Sequence, residues 1–351
     1  MKIMIKNAAF IIASVLMIVS CSEWRKAGST PAKESTIDSA LQFTVDTILK
    51  NKMAEINATS GQAIVMEVAT GEIKAMVGSG KSQESRLVRA ATLLAVLESG
   101  KVALSDTADA SYGIYQMKDT VLKDHNWHRG GYGTLTAKQS LAHSSHIALY
   151  KNVRKVFDSV DACLNAIDSM GYGLPEAIEG LDSLKAYRRF VSHDSSWEDM
   201  AFYCTGDKQS ISPIQVLTFI NAIANDGQMV SPTLFKREPE TIIPMIASKA
   251  SIDSMQVALR YVITDGLGRR ASSEQVEVAG VQGSATISGI RKQVEDAAST
   301  EYAVEFCGYF PAEAPKYSII VSMNKKGLPR SGGGMAGPVF REIVDYMHQR
   351  Y

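Results

Sequence analysis

The chain has 351 residues, of which 45% are hydrophobic, and its 37 Lys and Arg residues are balanced by 37 Asp and Glu residues. This length is enough for one large domain or two ordinary ones, and the composition is that of a soluble globular protein. A net charge of zero argues against nucleic acid or an anionic surface as the main partner.

The first twenty residues have the pattern of an export signal. Lys2 and Lys6 precede an apolar run over 8–19 that is too short to span a bilayer comfortably. The run Ile-Val-Ser-Cys ending at Cys21 resembles the lipobox of bacterial lipoproteins, in which the cysteine carries the lipid. The alternative is an ordinary secretory signal with an incidental cysteine. Either way we expect an exported chain; a lipidated Cys21 would anchor it to a membrane, facing the periplasm.

Three further cysteines, Cys163, Cys204 and Cys307, follow in the chain. Three cannot all pair; Cys204 and Cys307 have the option of a disulfide, with buried free thiols as the other interpretation. His125 and His128 lie in a loop without a third ligand nearby, so we expect neither a metal nor another cofactor.

The sequence predicts a helix, a hairpin and a second helix in the first half of the domain. A helix is predicted within 36–58, followed by strands at 62–69 and 72–77 joined by a tight Thr-Gly turn. Apolar residues at helical spacing then predict one long helix over 82–100, with Gly100 in the left-handed position past its end. Residues 22–35 are polar and are interpreted as a tether.

In the second half of the chain, the sequence predicts helices first, then strands, and a closing helix at the end. Helices are expected at 135–151 with a break around 143–146, at 211–225, at 254–263 and from Pro338 onward, and strands at 276–284, 301–307 and 317–323. Strands at both ends of the chain with helices between them predict an α+β fold, whose antiparallel sheet is built from N- and C-terminal strands.

Ser85 is the candidate nucleophile. The predicted hairpin delivers the N-terminus of a long buried helix, where the helix dipole stabilises negative charge and packing fixes the geometry. A serine that only caps the helix is the alternative interpretation.

Several stretches resemble the transpeptidase domain of penicillin-binding proteins of the cell-division and elongation kind. The resemblance covers about residues 55–351 and is carried by the following segments: the hairpin at 62–77, the segment at 135–146, the helix and turn at 212–232, the strand pair at 308–318 and the closing helix at 336–343. It implies the penicillin-binding and β-lactamase-like fold. We therefore expect a signal at 1–20, a lipidated cysteine with tether and leading helix at 21–54, and this domain at 55–351.

The chemistry of that family uses three motifs, S-x-x-K, S-x-N and K-T-G. The first becomes Ser85-Arg-Leu-Val88 in this chain, with valine where the lysine base belongs. Counting back from Gly100 instead places Arg86 at the serine and Arg89 at the lysine. Arginine does not deprotonate near neutral pH, so neither register restores a general base. Bidentate binding of a carboxylate is one role open to these arginines, and solvation at a helix start is the other.

The second and third motifs are also changed. The S-x-N motif becomes Ser144-Ser145-His146, and the K-T-G region becomes Val-Gln-Gly-Ser at 281–284, without its cation. On this resemblance Ser144 and His146 join Ser85 as catalytic candidates. His146 is considered as a substitute base, because imidazole titrates near neutrality, with an ordinary loop histidine as the alternative. The candidates for substrate binding are Ser145, Gln282, Gly283 and Ser284.

The resemblance implies a role in peptidoglycan synthesis or remodelling in the cell envelope. Loss of both lysines favours a non-catalytic protein that binds a stem peptide, a β-lactam, or a cell-division or cell-elongation protein. The alternatives are an active acyl-serine D,D-transpeptidase or carboxypeptidase with a substituted base, and a purely structural scaffold. No nucleic acid is expected as a partner.

Overall fold

The computed structural model describes residues 33–80, 82–181, 184–192, 194–287 and 300–351. Residues 36–351 form one compact unit. The predicted signal, Cys21 and most of the tether lie outside the described residues. Within the described ranges, every helix is too short or too polar to cross a membrane.

Nine α-helices and thirteen strands make up the described part of the chain. The helices are α1 Ser39–Glu55, α2 Val88–Glu98, α3 Ala137–Ala142, α4 His146–Val156, α5 Val160–Ser169, α6 Trp197–Cys204, α7 Pro213–Ala224, α8 Lys249–Thr264 and α9 Gly337–Arg350. The strands are β1 Ala58–Glu67, β2 Ile73–Gly78, β3 Thr107–Asp109, β4 Ile114–Gln116, β5 Val121–Lys123, β6 Thr134–Thr136, β7 Arg188–Arg189, β8 Gln209–Ser210, β9 Met229–Val230, β10 Thr241–Ile243, β11 Ala279–Thr286, β12 Glu301–Phe310 and β13 Tyr317–Lys326.

A five-stranded antiparallel sheet in the order β11-β12-β13-β1-β2 organises the molecule. The predicted hairpin forms β1 and β2, and the three predicted late strands form β11, β12 and β13. The two groups join where β1 pairs with β13, with Val65 opposite Ile319. The predicted α+β fold with a sheet from both ends of the chain is confirmed.

Both faces of this sheet are buried under helices. Because successive side chains of a strand point to opposite faces, neighbouring residues enter different cores. On β1, Ala63 and Val65 pack into a core with α1 and α9. Their neighbours Ile64 and Met66 pack into a second core with α2, α7 and α8. The helical region expected between the strands therefore covers one face, and the first and last helices cover the other.

Helix α2 begins six residues later than predicted. It starts at Val88, not at residue 82, although it ends as expected with Gly100 at φ 68°. The preceding segment is held extended because the backbone N–H and C=O of Gln83 pair with Ile211, both at 3.0 Å. These tertiary hydrogen bonds override the helical periodicity of the sequence.

The other predicted helices are present with shifted ends. The predicted helix at 135–151 is two helices, α3 and α4, with Ser144 in the left-handed region at φ 57° at the predicted break. Helix α7 follows Ser212 and opens with Pro213 as expected, and α8 begins at Lys249, earlier than predicted. All three described cysteines are buried free thiols.

Asn221 joins helix α7 to the sheet through two buried hydrogen bonds. Its side-chain N–H donates to the carbonyl of Val68 at 3.0 Å, and its oxygen accepts from the Ser318 hydroxyl at 2.7 Å. We expect Asn221→Ala to lower the free energy of unfolding by about 2 kcal/mol, because both partners are left unsatisfied in the core. Urea denaturation measures this. Asn225→Ala near the end of the same helix is the control, with an expected loss below about 1 kcal/mol, and equal losses would contradict the prediction.

Candidate functional site

Three segments meet where the start of α2, the 143–146 loop and the edge strand β11 come together. The guanidinium of Arg86 lies 3.0 Å from Nε2 of His146. Arg89 donates to the carbonyl of Gln282 at 2.7 Å, and the side-chain amide of Gln282 donates to Ser144 Oγ at 2.7 Å. The segments that resemble the three family motifs are therefore in mutual contact.

Arg86 is the side chain at the centre of this contact. Besides His146, its guanidinium donates to the carbonyl of Thr205 at 3.0 Å and pairs with Asp207 at 3.1 Å. Its Cβ packs against Gly283, where an added Cβ would approach Arg86 Cβ to 2.8 Å. A glycine at 283 thus gives room for the arginine.

Arg89 is fully buried one helical turn later. Its Nε donates to the carbonyl of Arg86 at 2.8 Å, and no described carboxylate forms an ion pair with it. Burial, and then the charge of Arg86, lowers the pKa of Arg89 to about 9. The guanidinium stays protonated at neutral pH, so it can donate hydrogen bonds but cannot accept a proton.

His146 is a neutral imidazole in this arrangement. Burial, followed by the charges of Arg86 and Arg89, lowers the pKa of His146 well below its usual value. Because a guanidinium only donates, the ring nitrogen that faces Arg86 must carry a lone pair. That lone pair is already engaged, and the imidazole has no second one to offer as a base.

Ser145 and Asp124 fix the start of helix α4. Ser145 Oγ donates to one carboxylate oxygen of Asp124 at 2.6 Å, and the other oxygen accepts the backbone N–H groups of His146 and Ile147 at 2.6 and 3.1 Å. Asp124 is fully buried. Burial raises the pKa of its carboxyl, and these hydrogen bonds only partly oppose the rise. The hydroxyl of Ser145 is thus committed to holding the loop.

Ser85 lies in a different set of hydrogen bonds. Its side chain is buried, and Oγ donates to Glu305 at 2.7 Å. The second oxygen of Glu305 accepts from Ser322 at 3.1 Å, and Gln83 links Ser322 to Asn324 at 3.2 and 3.0 Å. We call these five residues the Ser85–Glu305 cluster. In the hydrogen bonds of the described residues, Ser85 Oγ reaches neither Ser144 nor His146.

Glu305 is a buried carboxyl on the central part of β12. Burial raises its pKa to about 7, and the hydrogen bonds from Ser85 and Ser322 oppose this rise. Glu305 was not among the site residues predicted from sequence. The available signal was a glutamate inside the otherwise apolar run of β12, because a charged group buried in a strand needs partners.

Two further residues at the β11 edge complete the site. Ser284 is half-buried on this strand. Arg330 donates to Thr286 Oγ at 3.1 Å, and its guanidinium lies 4.6 Å from the centroid of the Tyr302 ring. Within the described ranges, no group of His, Cys, Asp and Glu residues is arranged to hold a metal ion.

Of the site residues predicted from sequence, the structure brings together Ser144, His146, Gln282 and Gly283, places Ser145 beside them and separates Ser85. It adds residues that the sequence analysis missed, among them Asp124, Asp207, Glu305 and Arg330. Most of their contacts join residues far apart in the chain, so no short motif marked them.

Comparison with known proteins gives a consistent result. The model of the penicillin binding protein transpeptidase domain matches residues 61–345. Stage V sporulation protein D of Bacillus subtilis is 23% identical over 360 residues, which cover 90% of this chain and 54% of that protein. Penicillin-binding protein 1A of Aquifex aeolicus is 26% identical, over 85% of this chain and 39% of its own length. The chain thus spans about half or less of these two relatives.

A solved structure shows the same fold. The apo transpeptidase domain of penicillin-binding protein 3 from Burkholderia pseudomallei matches with a TM-score of 0.79 and 23% identity, covering 92% of this chain and 97% of that one.

Proposed function

Since the chain belongs to the family of penicillin-binding protein transpeptidase domains, we propose that it serves peptidoglycan synthesis or remodelling without forming an acyl-serine intermediate. The observation that carries this proposal is that Arg86 contacts His146 and Gly283 while Arg89 contacts Gln282, as expected of residues at the positions of the family's serine and lysine. On this proposal both of the family's proton-handling residues are replaced by arginines, which donate hydrogen bonds but do not accept a proton at neutral pH.

The contacts of Arg86 and Arg89 favour one of the two registers of the first motif. In an active member the three motifs meet at one centre, so the residues that touch the second and third motifs belong to the first. Arg86 touches His146 and Gly283, and Arg89 touches Gln282. Ser85, in the other register, turns to Glu305 inside the sheet. This supports the register in which arginine replaces the nucleophile.

General-base chemistry has no support at the centre. Arg89 holds its proton, the lone pair of His146 faces Arg86, and Val281 stands where the third motif has its lysine. Each missing proton-transfer or electrostatic group typically costs about a hundredfold or more in rate. A protein that binds instead of acylating is the function these residues support.

The ligands and location of the chain are part of the same proposal. The cleft beside β11 would bind a peptidoglycan stem peptide or a β-lactam non-covalently, or seat a cell-division or cell-elongation protein. We further propose that the chain is exported and lipidated at Cys21, on the periplasmic side of the envelope, for which the lipobox-like sequence before that cysteine is the support.

Covalent labelling tests the loss of acylation. The purified full-length protein is incubated with a fluorescent penicillin for hours, followed by a denaturing gel and intact mass measurement, with an active penicillin-binding protein as positive control. We expect no adduct on the wild type and no change in Ser85→Ala or Ser144→Ala. An added mass of one penicillin that disappears in Ser85→Ala would refute the proposal and establish Ser85 as a nucleophile.

A further inference from the structure

Two aromatic side chains are exposed on the loops that precede the second motif. Tyr112 is 76% exposed and Trp127 is 44% exposed. The backbones of their loops are packed together, because a Cβ added at Gly113 would approach the Cα of Trp127 to 2.9 Å, and one added at Gly131 would approach the carbonyl carbon of Tyr112 to 2.2 Å. The two aromatic residues are therefore neighbours in space, and neighbouring exposed aromatic residues are typical of binding surfaces.

Trp127 is held in a fixed position on this surface. Its backbone N–H donates to the carbonyl of Asp124 at 3.2 Å. The ammonium group of Lys123 lies 4.5 Å from the centroid of its ring, and the ring of His128 packs against it at an interplanar angle of 82°. A ring that is already fixed loses little conformational entropy when a ligand binds to it.

A run of ring contacts joins this surface to the cleft. His125 lies two residues before Trp127, and its Nε2 is 3.1 Å from Oη of Tyr132. The ring of Tyr132 stacks on that of His143, with 5.4 Å between the centroids and 24° between the planes. His143 directly precedes Ser144 of the second motif. Aromatic groups thus follow one another from the exposed loops to the site.

The chemistry of this surface fits a sugar chain. One face of a pyranose ring carries C–H groups that pack on aromatic rings, whereas its hydroxyl and acetamido groups need polar partners. Polar side chains adjoin the indole ring, namely the half-buried Asn126 and the exposed Lys123 and His128. A lipid surface would require a wider apolar or strongly basic face than two rings and these neighbours provide.

We propose that Tyr112 and Trp127 form a binding surface for the glycan strand of peptidoglycan. This inference rests on the proposed role in peptidoglycan, because continuity with the cleft selects the glycan as the ligand. Stem peptides are attached to the glycan, and about five extended residues span only about 17 Å. A stem peptide in the cleft therefore keeps its glycan close to the run of rings. The binding is non-covalent and does not depend on whether Ser85 can be acylated.

Calorimetric titration of the full-length protein with chitohexaose, a soluble chain of N-acetylglucosamine, tests the inference. Co-sedimentation with isolated peptidoglycan sacculi is measured in parallel. We expect saturable binding of chitohexaose and co-sedimentation with sacculi. Co-sedimentation without chitohexaose binding would overturn the inference and leave the proposed role in peptidoglycan standing. Absence of both would contradict the inference and the proposed role together.

Variants locate the glycan surface. We expect Trp127→Ala and Tyr112→Ala each to weaken chitohexaose binding by about 3- to 10-fold, the range for loss of a stacked aromatic partner. Trp127→Phe keeps an aromatic ring and should lie between Trp127→Ala and the wild type. Phe43→Ala is the matched control and should bind as the wild type does, because Phe43 is 73% exposed on α1, which packs on the other face of the sheet.

The double variant Tyr112→Ala, Trp127→Ala decides the assignment. Both side chains are exposed, so we expect wild-type circular dichroism and chitohexaose binding at least about tenfold weaker than that of the wild type. Unchanged chitohexaose binding in this folded double variant would show that the glycan binds elsewhere and would refute the proposal.

Discussion

Replacing Glu305 by glutamine is expected to make the protein relatively more stable as the pH rises, by about 3 kcal/mol between pH 4 and pH 8. The folded state holds the pKa of Glu305 at about 7, above the ordinary value of 4.5. Between these values the folded state keeps a proton that the unfolded state releases, so raising the pH favours unfolding of the wild type. The stabilising contribution is complete below about 4.5 and is lost as the pH passes 7.

The comparison must be made as a difference between wild type and variant. Burial lowers the pKa of His125, His143 and His146, and these groups raise stability with pH over part of the same range. Both proteins share them, so they cancel when the free energies of unfolding are subtracted at each pH.

Urea denaturation of wild type and Glu305→Gln at unit steps of pH measures the effect. The control is Glu301→Gln on the same strand, whose carboxylate accepts from Thr59 at the exposed end of the sheet. Its difference from the wild type should stay within about 1 kcal/mol across the range. If the free energies of unfolding of wild type and Glu305→Gln changed in parallel with pH, burial would not raise the pKa of this carboxyl.

Asp124→Ala is expected to lower the free energy of unfolding by about 3 kcal/mol. The variant leaves the Ser145 hydroxyl and the first two N–H groups of α4 without their acceptor in a buried place, and each such loss costs about 1–3 kcal/mol. Asp124→Asn keeps one acceptor oxygen and should lose about half as much.

Thermal and urea denaturation measure this change, with Asp109→Ala as the control. Asp109 is exposed and accepts one N–H, from Ser111 at 2.7 Å, so a loss below about 1 kcal/mol is expected. Equal losses in the two variants would mean that Asp124 does not hold the start of α4.

The sheet was predictable from sequence because its strands carry local signals. The hairpin has apolar strands around a Thr-Gly turn, and the last strands are apolar runs separated by turns. The start of α2 was not predictable in this way. Residues 82–87 fit helical spacing, but Gln83 pairs with Ile211 and Ser85 with Glu305, and partners more than a hundred residues away leave no trace in a local pattern.

Because the helix was predicted to start at residue 82 and not at Val88, the sequence did not show which residue corresponds to the serine of the first motif. The second and third motifs could be located from the resemblance, and Ser144, His146, Gln282 and Gly283 do meet. The first motif could not be placed by counting alone, because a one-residue shift exchanges Ser85 for Arg86. The directions of the two side chains, Ser85 towards Glu305 in the sheet and Arg86 towards His146 in the cleft, are what favours the proposed register with Arg86.

The pairing of β1 with β13 also means that the central sheet cannot form until nearly the whole chain is present. Val65 lies beside Ile319, about 250 residues later in the chain. The early hairpin therefore leaves the inner edge of β1 open until the last tenth of the sequence arrives, and such long-range pairing makes folding slow. An incomplete chain that ends before Tyr317 would expose the backbone edges of β1 and β12, a form prone to pair with other chains.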